Sequence, residues 1–307
     1  MKRMIIDSDA GVDDALAILM AVRHADTQVE AITTVSGNVG VEKTTANVLK
    51  VLDAVNADVP VYKGCALPLI PSAEDASEIH GSDGLGDCGI PASERRPEEG
   101  HAVHALIDLA NANSGELSLA AIGPLTNIAA ATMLDPSLPE KLKEITIMGG
   151  AVTGKGNTNG TAEFNIYFDP EAARIVFSRW PKVRVVDWEV AAAFPLHKGE
   201  VAGLDALNTP LSRFVERINR HERAFIKENY GSEDSIHSDG LAMAAALDDA
   251  IITRRENRYL QVELRGEATR GMTVVDWQGS TGKPANAEIV LGIDKRRYLD
   301  LLTETLG

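Results

Sequence analysis

The stretch that decides the fold runs from Met4 to Val22 and reads MIIDSDAGVDDALAILMAV. Its first three residues predict a short buried strand, and the apolar run from Ala15 to Ala21 predicts a helix that faces a core. The turn between them holds four aspartates: Asp7, Asp9, Asp13 and Asp14. Open α/β sheets place their ligand sites at the carboxyl ends of strands. Helix capping accounts for one or two of these carboxylates, whereas a divalent cation such as Ca²⁺ or Mg²⁺ is the most economical explanation of the cluster.

The rest of the chain alternates between strand-like and helix-like segments. Apolar runs predict strands at residues 29–35, 117–122, 145–148 and 183–186, and helical spacing occurs at 41–55 and 128–133. This rhythm predicts an α/β fold with a mostly parallel central sheet flanked by helices. Because no linker or composition shift marks a boundary, we expect a single domain over residues 1–307.

Five further segments lie outside this rhythm. Residues 259–264, 272–275 and 288–291 predict a small β addition near the end. Residues 71–100 and 222–238 are long and polar, which predicts mobile lids or binding loops, with ordinary disorder as the alternative.

The composition limits the classes of function. The net charge of −15 over 307 residues argues against nucleic acid and anionic membrane as partners. The longest apolar stretch, Ala15 to Val22, is too short to span a bilayer, and the start Met1-Lys2-Arg3 is not followed by a signal-peptide pattern. Two cysteines are too few for a disulfide framework. We therefore expect a soluble, cytoplasmic protein.

Other predicted strand and helix ends carry polar groups suited to the same site. Asn38 follows the second strand, Thr126 offers a backbone carbonyl in a turn, and Asp239 begins a helix. Glu163 and Asn165 are two residues apart, so in an extended segment their side chains share a face. Each has an ordinary alternative when taken singly, since Asn38 suits a turn, Glu163 a surface and Asp239 an N-cap.

Taken together and in this order, these motifs resemble one family, the inosine-uridine-preferring nucleoside hydrolases. Residues 7–15 are similar to the family's aspartate-rich signature, which usually has Pro where this chain has Ala10. The segment AEFNIYFDPEAA at residues 162–173 is the most specific match after it. The likeness covers about residues 4–250 and includes Asn38, His80–Gly86, Gly123–Asn127, Met148–Gly150 and the Asp239 segment.

The resemblance implies a Rossmann-like nucleoside hydrolase fold and an enzyme that hydrolyses the N-glycosidic bond of ribonucleosides. It implies one Ca²⁺ at the bottom of the pocket, bound by Asp9, Asp14, Asp239 and the Thr126 carbonyl. Asp9 is also expected to take the proton from a metal-bound water that attacks the anomeric carbon, whereas Asp7 braces the turn. Family members are usually homo-oligomers, so the resemblance implies a homodimer or homotetramer, with a role in ribonucleoside salvage or catabolism.

The ribose is expected to be held by the ion together with side chains that read its hydroxyl groups. By the resemblance these are Asp13, Asn38, Glu163 and Asn165, and Met148 is expected to line the substrate site. Nearby carboxylates favour the positive charge of an oxocarbenium-like sugar. Dense recognition of hydroxyl groups predicts selectivity for ribose over deoxyribose, because unmet buried polar groups are costly.

The residues that activate the departing base are not fixed by the resemblance. Many family members carry His directly before the aspartate that corresponds to Asp239, but this chain has Ser238 there and His237 one residue earlier. His237 and His80 are the two candidate acids, and a solvated loop histidine is the alternative for His237. Trp188 either stacks on a nucleobase or belongs to the core.

Two other classes of function remain open at this point. A strand followed by Asp-x-Asp also begins the haloacid dehalogenase type of Mg²⁺-dependent phosphatase, although that class leaves Asp13, Asp14 and the Glu163–Asn165 motif unexplained. The second class is a nucleoside-binding protein that has kept the pocket and lost catalysis, which the Ser238 substitution would explain.

Overall fold

The strands of the protein build one large sheet and one small pair. The computed structural model describes residues 1–70 and 75–307. Its strands are β1 (Lys2–Ser8), β2 (Thr27–Thr34), β3 (Val61–Lys63), β4 (Leu117–Ala121), β5 (Glu144–Met148), β6 (Val183–Val186), β7 (Ile252–Arg258), β8 (Leu260–Val262), β9 (Thr273–Val275) and β10 (Ala287–Ile293). In these residues, eight strands form a sheet in the order β3-β2-β1-β4-β5-β6-β10-β7.

Helices cover both faces of this sheet. They are α1 (Val12–Arg23), α2 (Val41–Asp53), α3 (Ser77–His80), α4 (Ala102–Ala112), α5 (Thr126–Leu134), α6 (Leu138–Lys141), α7 (Phe164–Phe168), α8 (Pro170–Arg179), α9 (Trp188–Ala193), α10 (Lys198–Asp205), α11 (Pro210–Tyr230), α12 (Ser238–Leu247) and α13 (Lys295–Leu306). Every neighbouring pair of the sheet is parallel except β10 with β7. The predicted α/β fold with a mostly parallel sheet is therefore confirmed.

The alternation of side chains along β1 explains why both faces are covered. Met4 and Ile6 pack in the core formed with α1, α2, α11 and α12, whereas Ile5 packs in the core formed with α4, α5 and α8. Successive residues of a strand point to opposite faces. Each fully buried isoleucine stabilises the fold by about 1.5–3 kcal/mol, so this strand holds the two helical layers together.

The order of the strands places a crevice above β1 and β4. From β1 the chain continues to β2 and β3 on one side, and it later returns to β4 on the other side of β1. The connections therefore diverge between β1 and β4, and such a switch point leaves an open crevice beyond the carboxyl ends of the strands. The aspartate turn after β1 lies at this edge.

The first helix begins directly after that turn. Gly11 is its N-cap, and the backbone N–H of Gly11 donates a hydrogen bond to Asp14 Oδ2 at 2.8 Å. Asp13 and Asp14 therefore occupy the first turn of α1, where the helix N-terminus favours negative charge.

Two of the predictions about the irregular segments are wrong. Residues 288–291 do not join a separate β addition but lie in β10, inside the central sheet, whereas 259–264 and 272–275 contain the small pair β8–β9. The polar segment 222–238 is helical up to Tyr230, because α11 begins at a capped Thr209-Pro210 and ends at Gly231. Of the polar segment 71–100, residues 71–74 lie outside the described residues.

Within the described ranges, we find no helix with both the length and the apolar character needed to cross a membrane.

Candidate active site

The carboxyl ends of the central strands open onto a cavity of about 600 Å³. Asp9 after β1, Asn38 after β2, Ile122 after β4, Met148 in β5 and Trp188 after β6 all line it. The predicted site residues that line the cavity are Asp9, Asp13, Asn38, His80, Met148, Glu163, Asn165, Trp188 and Asp239. Asp14, Thr126 and His237 are not part of its lining.

The carboxylate of Asp9 is held between two glycines. A Cβ at Gly37 would lie 2.1 Å from Asp9 Oδ2, and one at Gly123 would lie 2.8 Å from Asp9 Oδ1, so a larger residue at either position displaces the carboxylate. Oδ2 accepts a hydrogen bond from the backbone N–H of Asn38 at 2.8 Å. Oδ1 is buried, and none of the described residues donates to it. Burial, followed by the charge of Asp14, raises the pKa of Asp9 well above its usual value.

Three further carboxylates converge beside this site. Oxygens of Asp13, Asp14 and Asp239 lie within 4.8 Å of one another, because the first turns of α1 and α12 meet there. Asp14 accepts hydrogen bonds from Ser8 Oγ at 2.6 Å and Asn38 Nδ2 at 3.1 Å.

Burial and like charge make the ionised form of this cluster unfavourable. Burial first, and the charge of Asp13 second, raise the pKa of Asp14 to about 6. Burial and the neighbouring aspartates raise the pKa of Asp239 well above its usual value. Buried carboxylates that repel one another are stabilised by a cation among them.

Glu163 and Asn165 form a second polar wall. Glu163 is the N-cap of α7, and its carboxylate accepts from the backbone N–H groups of Asn165 at 2.7 Å, Gly150 at 2.8 Å and Ile166 at 3.2 Å. Asn165 Nδ2 donates to the Met148 carbonyl at 3.3 Å. Burial raises the pKa of Glu163 to about 7, although the three backbone donors oppose this shift. The two side chains thus share the cavity through a helix start, and not through the extended segment expected from their spacing.

Asp7 lies behind the site and joins neighbouring elements. Its Oδ1 accepts from Thr33 Oγ1 and from Asn127 Nδ2, the latter at 2.8 Å, and Asn127 also donates to the Thr34 carbonyl at 2.9 Å. The hydroxyl of Thr126 donates to Asp169 Oδ2 at 2.7 Å. These bonds tie the start of α5 to β1, β2 and α8.

His80 is buried against the start of α1. The backbone N–H of Val12 donates to His80 Nδ1 at 3.3 Å, so the neutral ring carries its proton on Nε2. Burial lowers the pKa of His80. At neutral pH the ring is therefore an uncharged hydrogen-bond donor.

The ring of His237 is buried and is not part of the cavity lining. Its Nδ1 lies 3.2 Å from the hydroxyl of Tyr298, a fully buried residue of α13, and Ser238 lines the cavity. That hydroxyl also packs on Gly240, where a Cβ would lie 2.3 Å from it. Burial, with the charge of Arg223 next, lowers the pKa of His237 to about 4. The direction of this ring depends on a residue distant in sequence, so the chain's local pattern did not predict it.

A comparison with known proteins identifies the family of the chain. A family model described as inosine-uridine preferring nucleoside hydrolase matches residues 4–300.

The chain belongs to this family.

Similar nucleoside hydrolases match over nearly the whole chain. The pyrimidine-specific ribonucleoside hydrolase RihA of Salmonella agona is 35% identical over 305 residues, which cover 99% of this chain and 97% of RihA. The purine-preferring ribonucleoside hydrolase from Gardnerella vaginalis is 31% identical, with a TM-score of 0.92 and coverage of 99% and 98%. A solved inosine-guanosine nucleoside hydrolase is 33% identical, with a TM-score of 0.93 and the same coverage of 99% and 98%.

The family match also decides between the classes that the sequence left open. The chain is an enzyme of the nucleoside hydrolase class, and the alternative of a haloacid dehalogenase type of phosphatase is wrong. The names of its relatives include both a pyrimidine-specific and a purine-preferring hydrolase, so family membership alone leaves the base preference open.

The sequence marks residues 222–238 as a possible binding segment, but not the helix that lines one end of the cavity. Glu222, Phe225, Ile226 and Tyr230 line it from α11, and their spacing of three, four and eight residues puts them on one helix face. Burial, followed by the charge of Asp13, raises the pKa of Glu222 to about 8. The signal was this helical spacing, which the many charges of the segment concealed.

Proposed function

We propose that the protein is a Ca²⁺-dependent hydrolase that converts ribonucleosides to free base and ribose. The observation that carries the proposal is Asp9 Oδ1, a buried carboxylate oxygen in the cavity wall to which none of the described residues donates. It lies in a site that combines clustered carboxylates with hydroxyl-reading groups such as Asn38 and Asn165. A bound cation and a ribose would satisfy both sets.

The donor set fits a hard divalent cation. Every candidate ligand is an oxygen atom, from Asp9, Asp14, Asp239 and the Thr126 carbonyl, and Ca²⁺ prefers oxygen ligands. Asp13 brings a further carboxylate within 4.8 Å of Asp14 and Asp239, and its position in the cavity lining suits a ribose hydroxyl. When bound, Ca²⁺ supplies positive charge that orients hydroxyl and water oxygens and favours loss of their protons.

The residues of the chain then have separate roles in the reaction. Asp9 accepts the proton of the attacking water through its unpartnered oxygen. Asn38, Glu163 and Asn165 orient the ribose, and the carboxylates stabilise the positive charge that develops at the anomeric carbon. The bonds that fix Asp9 and Glu163 to backbone N–H groups hold these groups in position before substrate binds.

A turnover panel tests the proposal. Purine and pyrimidine nucleosides, as ribosides and as 2′-deoxyribosides, are incubated with and without a chelator, while released base and ribose are measured. We expect release from ribosides, a loss of activity with chelator that added Ca²⁺ reverses, and 2′-deoxyribosides slower by about 10⁴-fold. Calorimetric titration of the purified protein with Ca²⁺ measures the ion independently of turnover. A protein that releases base from none of the ribosides would falsify the proposal.

Cytoplasmic salvage or catabolism of ribonucleosides, with assembly as a homodimer or homotetramer, is the part of the proposal that rests on family resemblance alone. Analytical ultracentrifugation of the purified protein tests the assembly.

A further inference from the structure

We propose that Glu222 is the acid that donates a proton to the departing nucleobase. This inference rests on the proposed function, and it concerns the end of the cavity for which the family motifs of this chain name no residue.

The position of Glu222 is unusual for a carboxyl group. It is only 7% exposed and lines the cavity from α11, yet it makes no side-chain hydrogen bond or ion pair with any described residue. Its neighbour Arg223 pairs with Asp205 at 2.8 Å, and the charge of Arg223 lowers the pKa of Glu222 by less than burial and the charge of Asp13 raise it. The carboxyl group borders the cavity and is not paired within the described part of the chain, so a molecule bound in the cavity can reach it.

The surroundings of Glu222 suit a planar base. Phe225 and Ile226 follow it on the same helix face and line the cavity, and Tyr230 lies at the exposed end of that face. Aromatic and aliphatic surfaces favour stacking of a nucleobase. A base packed against this face brings its ring nitrogen and oxygen atoms towards the only carboxyl group of α11 that is buried among the described residues.

The two histidines that the sequence offered for this step, and Ser238, are poor proton donors. The ring of His237 engages Tyr298 outside the cavity lining. His80 accepts from Val12 through Nδ1 and keeps a single Nε2 proton, and a neutral imidazole N–H is a very weak acid. Ser238 offers an aliphatic hydroxyl, which also does not ionise near neutral pH. A protonated carboxyl group is a much stronger acid than either, and the raised pKa of Glu222, about 8, keeps it protonated.

Water is the only co-reactant in this hydrolysis. The bond between C1′ and the base nitrogen breaks, and its electron pair stays with the base. Glu222 gives its proton to a nitrogen or oxygen atom of that base, while water adds hydroxide to C1′ and gives its own proton to Asp9. After base and ribose leave, Asp9 returns a proton to solvent and Glu222 regains one.

The experiment compares leaving groups that do and do not need a proton. Inosine and uridine need one, whereas p-nitrophenyl riboside releases p-nitrophenolate, which is stable as an anion. In the Glu222→Gln variant, we expect kcat for inosine and uridine to fall by at least about 100-fold. For p-nitrophenyl riboside, kcat should stay within about threefold of the wild-type value, because this reaction bypasses the acid.

Glu228→Gln is the matched control, since it makes the same change at an exposed position of the same helix and should alter none of the three rates. Glu222→Ala is the second variant in case the added amide disturbs folding, and it should show the same split between substrates. Equal losses on all three substrates, or no loss on any, would overturn the role of Glu222. A wild-type protein that cleaves neither kind of riboside contradicts the proposed function itself, and the inference then falls with it.

Discussion

The two ends of the cavity, which we propose bind the sugar and the base and call the sugar end and the base end, are built in different ways. At the sugar end, Asp9, Asp14 and Glu163 each accept hydrogen bonds from backbone N–H groups, and they follow strands or begin helices at the edge of the sheet. At the base end, α11 contributes one helix face to the lining, which carries the buried Glu222 and Tyr230, a residue that is 75% exposed. The sugar end is therefore preorganised by backbone hydrogen bonds, whereas the α11 face of the base end presents side chains.

The largest effect is expected from Asp9→Asn, which should break the sugar end for every substrate. The amide cannot accept the proton of water and is a weaker ligand for a cation. We expect kcat/KM to fall by about 10³-fold for inosine and uridine alike. Asp108→Asn, an exposed change in α4, is the control. A loss confined to one base would instead place Asp9 in base recognition.

Glu163→Gln tests how strongly burial raises the pKa of Glu163 at the sugar end. The pKa of Glu163 is about 7 in the fold, against an ordinary value of 4.5, so the folded state binds this proton more tightly than the unfolded state. Stability from this group is fully present below pH 4.5 and is lost as the pH rises through about 7. As the pH rises across this window, the free energy of unfolding of Glu163→Gln should therefore increase relative to that of the wild type, by on the order of 3 kcal/mol.

Urea unfolding of both proteins at the two ends of that pH window measures this difference. Glu228→Gln, at an exposed position, should differ from the wild type by the same free energy of unfolding at both pH values. A constant difference between wild type and Glu163→Gln would show that the carboxyl group of Glu163 titrates normally.

A smaller and more selective effect is expected from Phe225→Ala at the base end. Loss of a stacking surface should raise KM for nucleosides by about 10-fold, and more for inosine than for uridine, because a purine covers more of the ring. Phe214→Ala on the same helix is the matched control, since Phe214 packs against the core and not in the cavity. Steady-state kinetics with both nucleosides decide the matter, and an equal KM increase in both variants would remove Phe225 from the base site.

The smallest effect is expected at the turn that carries the sugar end. Ala10 has a φ of 32°, in the left-handed region that favours glycine. Ala10→Gly should raise the free energy of unfolding by about 0.5–1 kcal/mol, because relief of strain exceeds the entropy that glycine adds to the unfolded chain. Ala46→Gly, at an exposed helical position in α2, should lower it by about 1 kcal/mol. Thermal unfolding measures both, and a decrease for Ala10→Gly would contradict the assignment of strain.

The sugar end was largely predictable because its residues follow from local patterns. An apolar run followed by polar residues marks a strand end, and the carboxyl ends of parallel strands meet at one edge of a sheet. Asp9, Asn38 and Met148 reach the cavity for this reason. Glu163 and Asn165 also reach it, although the reason is a helix cap that their spacing did not reveal.

The base end and the place of β10 in the central sheet could not be predicted because they depend on distant contacts. Helix α11 is largely apolar only on the face that meets the cavity and core, and the many charges on its other faces concealed the helix. The direction of the His237 ring is set by Tyr298, and β10 joins the sheet by pairing with β6 and β7. Such pairings join segments far apart in sequence, which no local pattern specifies.

The contact between Tyr298 and Gly240 has a consequence for when this part of the fold can form during synthesis. Gly240 adjoins Asp239, so the helix that supplies this carboxylate packs directly against the tyrosine. A growing chain on the ribosome contains Asp239 well before Tyr298 is added. The start of α12 is therefore left without this buried neighbour until α13 has been made, and the packing behind Asp239 is completed only late in translation.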